Sequence, residues 1–362
     1  MRILIDLQAC QSASRERGIG RYSRALADAL AGLADKDELA LLLNAGFPDA
    51  VESMRERFRD AIPAARIHVF ASPGPSAEID PRNAWRVRAA ERVREAFVAS
   101  LRPDAVLLSS LFEGFVDDAV TSIVPAPGRL DAVTLYDLIP LLRQGVLATP
   151  VARAWYERKL AQLRSCDLLL AISGHARTEA LEALGLPAER IAVISTAADA
   201  CFRPPARDEG QVRELFDRHG IARPYVLYAG GFDERKNVRS VVAAYALLPP
   251  ASRERHQLVL AGHIDERERL SLRSVGEREG LRGDELVFTG YGDDADLAGL
   301  YGHCEVFVFA SLHEGFGLPV LEAMACGCPV VTSDRSALPE VRRLPLRQNA
   351  THWALCVWPV RV

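Results

Sequence analysis

Hydrophobic positions along the chain gather into short runs separated by longer amphipathic stretches. "RILIDL", "ELALLL", "RIHVF", "DAVLLSS", "DAVTLYDLI", "DLLLAIS" and "IAVIS" read as strands, with helix candidates such as "RYSRALADALAGLA" between them. Strands alternating with amphipathic helices imply parallel α/β layers. At "ACFRPPARDEG", residues 200 to 210, the pattern gives way to proline and charge. A second series follows in "YVLYAGG", "QLVLAGH", "LVFTGY", "EVFVFAS" and "PVVTSD". The pattern predicts an α/β chain with two doubly wound parallel-sheet domains, residues 1–205 and 206–341, and an atypical tail, 342–362. Open parallel sheets offer ligand crevices at the carboxyl ends of their strands, so the active site is expected in the cleft between the domains.

Composition narrows the partners. The 362 residues, 49% hydrophobic, suffice for two cores, and a net charge of -4 gives no general attraction to nucleic acid. "RILIDL" directly after Met1 reads as a first strand rather than a leader, and no uncharged apolar run is long enough to span a bilayer, so a soluble cytoplasmic protein is expected. The seven cysteines are scattered and contain no CxxC pair, which predicts small buried thiols rather than a disulfide framework or zinc site. Lysine is rare, with Lys36, Lys159 and Lys236 standing against abundant arginine. Residues 82 to 104 form an arginine-rich amphipathic helix, readable as a membrane-facing surface or as a core-packed helix with a solvated charged face.

Two segments carry chemistry. "YAGGFDERKN", residues 228 to 237, follows a strand, turns at Gly230 and Gly231, and brings Arg235 and Lys236 to the start of the helix "NVRSVVAAYALL". Cations there face an anion site; a solvated helix start is the other reading, although cations at that end oppose the helix dipole. "HEGFGLPVLEA", residues 313 to 323, places Glu314 and Glu322 around a Gly-Phe-Gly turn, with Pro319 suited to a first helical position and Gly327 to a stop. Carboxylates repel a diphosphate but accept hydrogen bonds from hydroxyls, so they belong at the two ends of a sugar nucleotide, flanking its phosphates. Taken singly, Glu322 also fits a helix-dipole acid in a first turn, and Glu314 a loop carboxylate.

These segments resemble the retaining glycosyltransferases of the group 1, family 4 type, which have two Rossmann-like domains in the GT-B arrangement. The likeness runs to "SALPEV" and is carried above all by "EGFGLPVLEAMACGCPVV" and "GGFDERKN". It implies that Glu314 contacts donor-sugar hydroxyls and Glu322 the ribose hydroxyls. It further implies that Gly315, Phe316, Gly317 and Leu318 lend backbone contacts near the phosphates, and that Arg235 and Lys236 bind the diphosphate. "RERGIGRYSRALADAL" is similar to the family's first glycine-rich loop, with Gly18 and Gly20 as close-approach residues, whereas a Gly-x-Gly alone also fits a simple turn. In "LYDLIPL", Asp137 matches the strand end beside the reaction centre, and Tyr136 stands where relatives carry histidine. Ser173, in a segment like the family's "SxxS" helix, reads as an N-cap. Gly231 occupies a position where many relatives have arginine, leaving Arg235 to compensate. After "LPEV" the expected loop, last strand and long final helix are missing, and "RRLPLRQNATHWALCVWPVRV" reads as a truncated or frameshifted end.

The resemblance implies transfer of a sugar from a nucleotide diphosphate, GDP-mannose above UDP sugars, to a saccharide or polyprenyl-linked saccharide with retention, in bacterial surface polysaccharide synthesis. No cofactor or metal is expected: no DxD motif stands on a strand-end loop, and "GDDAD", residues 292 to 296, reads as a helix N-terminus. A retaining glycoside hydrolase needs a close carboxylate pair but no basic phosphate turn. A nicotinamide dehydrogenase needs a strand leading into GxGxxG, which is lacking. A truncated, inactive nucleotide-sugar-binding or scaffolding module is the non-enzymatic alternative.

Overall fold

The computed structural model describes residues 1–33, 37–204, 209–290 and 292–341, and the backbone of Cys356–Trp358. The chain divides into two compact units, Met1–Ser195 and Thr196–Val362.

The first unit runs β1 (Arg2–Asp6), α1 (Gly18–Leu33), β2 (Glu38–Asn44), α2 (Pro48–Phe58), β3 (Ile67–Phe70), α3 (Ala84–Leu101), β4 (Ala105–Leu108), β5 (Leu130–Leu135), α4 (Ile139–Leu142), α5 (Pro150–Ser165), β6 (Leu168–Ala171), α6 (Gly174–Leu184) and β7 (Ile191–Val193). Among the described residues the strand order is β3-β2-β1-β4-β5-β6-β7, with every pair parallel. Neighbouring residues on one strand enter opposite cores: Leu4, Leu42 and Leu108 belong to one cluster, Ile5, Leu41 and Leu107 to the other. A sheet covered on both faces has no solvent side, which is why the strand runs lack polar alternation. Each such side chain contributes about 1.5–3 kcal/mol on burial.

The arginine-rich helix α3 is core-packed, burying Val87, Ala90, Arg94 and Val98. Arg94 Nη2 and Nε donate to Asp6 Oδ2 at 2.6 and 2.9 Å, with both side chains about 3% exposed or less, and Arg94 Nη1 donates to the Ser122 carbonyl at 2.9 Å. Lys159 is likewise structural. It is fully buried, donates to Thr121 Oγ1 at 2.8 Å and to the Thr121 carbonyl, and burial draws its pKa down to about 8. Ser173 caps α6, its hydroxyl accepting from Ala176 N at 2.9 Å.

The second unit runs α7 (Glu209–His219), β8 (Tyr225–Ala229), α8 (Val238–Ala246), α9 (Pro250–Arg255), β9 (Gln257–Ala261), α10 (Glu266–Arg278), β10 (Leu286–Gly290), α11 (Asp294–His303), β11 (Val306–Phe309), α12 (Leu318–Ala325), β12 (Val330–Ser333), α13 (Leu338–Val341) and β13 (Cys356–Trp358). Its parallel sheet has the order β10-β9-β8-β11-β12-β13 among the described residues. The acids of "GDDAD" open α11, where Asp293 accepts from Asp296 N at 2.7 Å and Asp296 pairs with Arg218 at 2.7 Å.

Two expectations need correction. A strand does occur in the tail: β13, whose three residues include a β-branched and an aromatic one, pairs parallel with β12. The remainder of the tail reading, at residues 342–355 and 359–362, lies outside the described residues. Among the described cysteines, Cys10, Cys166, Cys304, Cys326 and Cys328 are buried, but Cys201 is exposed, in the segment just before α7. No helix among the described residues is long and apolar enough to cross a membrane.

Candidate active site

In the second unit the strand order reverses between β8 and β11, which are neighbours. Loops leaving the carboxyl ends of two such strands diverge and open a crevice between them, the usual ligand position of a doubly wound sheet. The loop after β8 carries Gly230, Gly231, Arg235 and Lys236; that after β11 carries Glu314 through Gly317 and leads into α12 at Leu318. The two motifs singled out in the sequence therefore meet at the switch point of one sheet.

The loops are joined by backbone. Leu312 N donates to the Arg235 carbonyl at 2.8 Å, and Arg235 Nη1 to the His313 carbonyl at 2.9 Å. Glu314, 8% exposed, lies between the cations: Lys236 Nζ donates to Oε1 at 2.6 Å and Arg235 Nη1 lies 3.0 Å from Oε2. Ser311 Oγ also donates to Oε1, and Glu314 N donates to Ser336 Oγ at 2.8 Å. Burial pushes the Glu314 carboxyl up, but Lys236 and Arg235, with the hydrogen bonds from Lys236 and Ser311, hold it below the usual carboxylate range. Lys236 Nζ stands 5.2 Å from the Phe309 ring centroid, which adds a cation–π contact.

Arg235 and Lys236 do not begin the helix, as the sequence suggested. They occupy a 3-10 turn, Glu234–Lys236, and Asn237 at φ 56° separates them from α8. Asparagine tolerates this left-handed conformation, and the kink sets both cations off the helix end whose dipole would oppose them. The Tyr228 hydroxyl fixes the glycine turn by donating to the Gly231 carbonyl.

The loop after β11 enters α12 through Gly317, at φ 110°. A side chain there would be strained, and its Cβ would stand 2.5 Å from Leu338 Cδ2. Gly315 and Phe316 are buried, Leu318 opens the helix, and Pro319 is its second residue rather than its first. Gly327 follows the helix at φ 92°, as a stop. Glu322 is 3% exposed and lies in the second turn, not the first, so the helix dipole does not explain it; the Tyr301 hydroxyl donates to its Oε2 at 3.4 Å.

In the first unit, Gly18 begins α1 and is exposed, whereas Gly20 is buried and its close approach is to its own loop, where an added Cβ would meet Arg15 Cα, Arg15 O and Ser14 O at 2.5 Å. Asp137 is half-buried after β5 and accepts from Ile139 N at 3.0 Å, fixing the entry to α4. Tyr136, the residue after β5, reaches the first turns of α1 and the end of β4: its hydroxyl lies 2.9 Å from Ser23 Oγ, 3.0 Å from the Ser109 carbonyl and 3.3 Å from the Ile19 carbonyl. Burial holds the phenol well above its ordinary pKa, so it neither accepts nor releases a proton near neutrality. The sequence reading passed over Ser311, Ser336 and Asn237, whose only signal was a small polar residue within one or two positions of a strand or helix end.

Known proteins bear on the same residues. The profile of the family "Glycosyl transferases group 1" matches residues 211–344, which contain both loops. The chain is 35% identical to the serotype-specific mannosyltransferase WbdA of Escherichia coli over 346 residues, covering 94% of this chain and 41% of WbdA. It thus spans about two fifths of that relative's length. It is 31% identical over 330 residues to the O-antigen chain mannosyltransferase B of Escherichia coli, with 90% of this chain and 80% of the relative covered. In fold it is similar to Anabaena Alr3699/HepE, solved in complex with UDP and glucose, at a TM-score of 0.64 and 18% identity, covering 99% of this chain and 86% of that one. With the family profile and a relative matched over four fifths of its length in agreement, the chain belongs to the group 1 glycosyltransferases.

Proposed function

We propose that this chain transfers a mannosyl group from GDP-mannose to a saccharide or polyprenyl-linked saccharide, with retention, during bacterial surface polysaccharide synthesis. The observation that carries the reading is the Arg235–Lys236–Glu314 cluster at the switch point of the second unit. The two relatives described above are mannosyltransferases, which favours mannose as the sugar.

As the bond from the anomeric carbon to phosphate breaks, negative charge grows on the departing diphosphate. Fixed cations and backbone N–H groups then lower the barrier most, because they need no reorganisation at that moment. Arg235 and Lys236 supply the cations, and Gly315, Phe316, Gly317 and Leu318 the backbone approach at the start of α12. Glu314 shares its oxygens between these cations and the donor-sugar hydroxyls, while Glu322 receives the ribose hydroxyls. Gly230 and Gly231 keep the turn after β8 narrow, and in the first unit Gly18, Gly20 and Asp137 are the residues proposed to contact substrate. The acceptor oxygen bonds to the anomeric carbon on the face the phosphate leaves, and its proton passes to the departing phosphate oxygen. No protein base and no metal enter these steps.

The test is the melting temperature of the purified chain with GDP-mannose, UDP-glucose and UDP-N-acetylglucosamine, with Lys236→Ala alongside. A ligand at 100 times its dissociation constant adds about 2.7 kcal/mol, an easily visible shift. A rise selective for GDP-mannose, lost in the variant and accompanied by mannosyl transfer, is the expected result. A shift without transfer supports a nucleotide-sugar-binding module instead, and no shift in a cooperatively melting protein overturns the donor site.

A further inference from the structure

The first unit holds a buried carboxyl that the proposed reaction does not use. Glu113, 4% exposed, lies in the segment after β4. β4 is the strand beside β1, where this sheet reverses its order. Its Oε2 accepts from Ser12 Oγ at 2.7 Å and from Ser14 Oγ at 3.0 Å, both in the loop after β1. Its Oε1 is buried, and a third hydroxyl, that of Ser110, also stabilises the carboxylate. Four residues on, Asp117 Oδ2 accepts from Ala13 N.

These bonds continue into the glycine turn. Ser14 N donates to Ser12 Oγ at 3.1 Å, and the Ser14 carbonyl accepts from Arg17 N at 2.9 Å and Gly20 N at 3.1 Å. On the other side, Gln8 exchanges bonds with Val120, its Nε2 donating to the Val120 carbonyl at 2.7 Å and its Oε1 accepting from Val120 N at 2.8 Å. The turn before α1 is thus held by its own backbone bonds and, in addition, by side chains about 100 residues away in sequence. A buried acid that accepts from two hydroxyls is costly to keep unless they hold it in place.

We propose that Glu113, seconded by Asp117, is a positioning residue for transfer: it clamps residues 12–14 and so sets Gly18 and Gly20 where substrate meets the first unit. This rests on the function proposed above, but the clamp itself has a readout that needs no substrate. Arg15 and Arg17 are exposed within the clamped loop, so trypsin cuts there at a rate set by how often the loop opens.

Three full-length variants are compared, Glu113→Ala, Glu113→Gln and the double Ser12→Ala, Ser14→Ala. Cleavage after Arg15 or Arg17 is expected to rise at least tenfold in Glu113→Ala and in the serine variant. It should stay within about twofold in Glu113→Gln, whose amide oxygen still accepts from both hydroxyls. Mannosyl transfer should fall at least tenfold in kcat/KM in the same two variants, with the GDP-induced rise in melting temperature kept, and Glu113→Gln should restore it. Unchanged cleavage in the alanine and serine variants overturns the clamp, and faster cleavage with undiminished transfer overturns its part in catalysis. If Glu113→Ala does not fold, the serine variant decides by the same measures. If the wild-type chain transfers nothing, the proposed function fails, and proteolysis still decides the clamp.

Discussion

Lys236 Nζ lies 2.6 Å from Oε1 of Glu314, a bond across 78 positions of sequence. It links the turn after β8 to the turn after β11, and the Arg235 guanidinium completes the cluster from the other oxygen at 3.0 Å. The cations proposed to bind a diphosphate are thus already held in place by a carboxylate, and on that proposal an incoming diphosphate meets Glu314 as well.

Glu314→Gln separates the attraction of the cations from the work of the acid. The amide no longer competes for Lys236 and Arg235, so GDP binding is expected to be unchanged or tighter by calorimetry. Transfer should fall about 10²–10³-fold in kcat, the scale for losing one preorganised polar contact to the reacting group. Weakened GDP binding together with intact transfer would contradict this assignment.

Acid titration distinguishes two of the buried glutamates, Glu314 and Glu113. Glu314 is held below the usual carboxylate range, so its stabilisation is present above the unfolded value of about 4.3 and lost as pH falls through the lower folded value. Glu113 is raised by burial, against its serine hydrogen bonds, and its contribution has the opposite sign, present at low pH and lost as pH rises from about 4.3 through the higher folded value. Urea midpoints between pH 3 and 7 should therefore show a shallower acid loss in Glu314→Gln and a smaller decline toward neutral pH in Glu113→Gln.

Gly317→Ala should cost about 1–3 kcal/mol, since the residue is left-handed and the new methyl would press on Leu338. The variant's melting temperature should fall, and its GDP-induced shift should shrink because the start of α12 is displaced.

Arg94→Ala leaves Asp6 buried without its cation and should destabilise the first unit by about 3–5 kcal/mol in urea unfolding. Replacing Asp6 by Leu as well should recover only part of this, because Gln8 N and Nε2 also donate to Asp6, at 3.1 and 3.2 Å.

Strands were the most legible part of the chain, because runs such as "ELALLL" and "QLVLAGH" must be buried on both faces and so carry no competing period. The two loops were legible as turns between strand and helix. Their meeting was not: that β8 lies beside β11 depends on the strand order, which local sequence does not encode, and the acids were expected to stand away from the cations. Arg94 was hidden among the arginines of an amphipathic helix, though it alone among them is buried in the core with Asp6. Glu113, Ser311 and Ser336 resembled ordinary loop residues, since their roles arise from partners distant in sequence or from a turn's exact path.

Tyr136 stands where the resemblance noted in the sequence implies an imidazole, a group that changes charge near neutral pH. The phenol keeps one protonation state there, and its hydroxyl is committed to Ser23 and to the carbonyls of Ser109 and Ile19. Through this position the first unit has no means of registering acidification. What a histidine would make a rheostat is here a fixed strut, so any response of the glycine turn to pH falls to Glu113, on its other side, rather than to Tyr136.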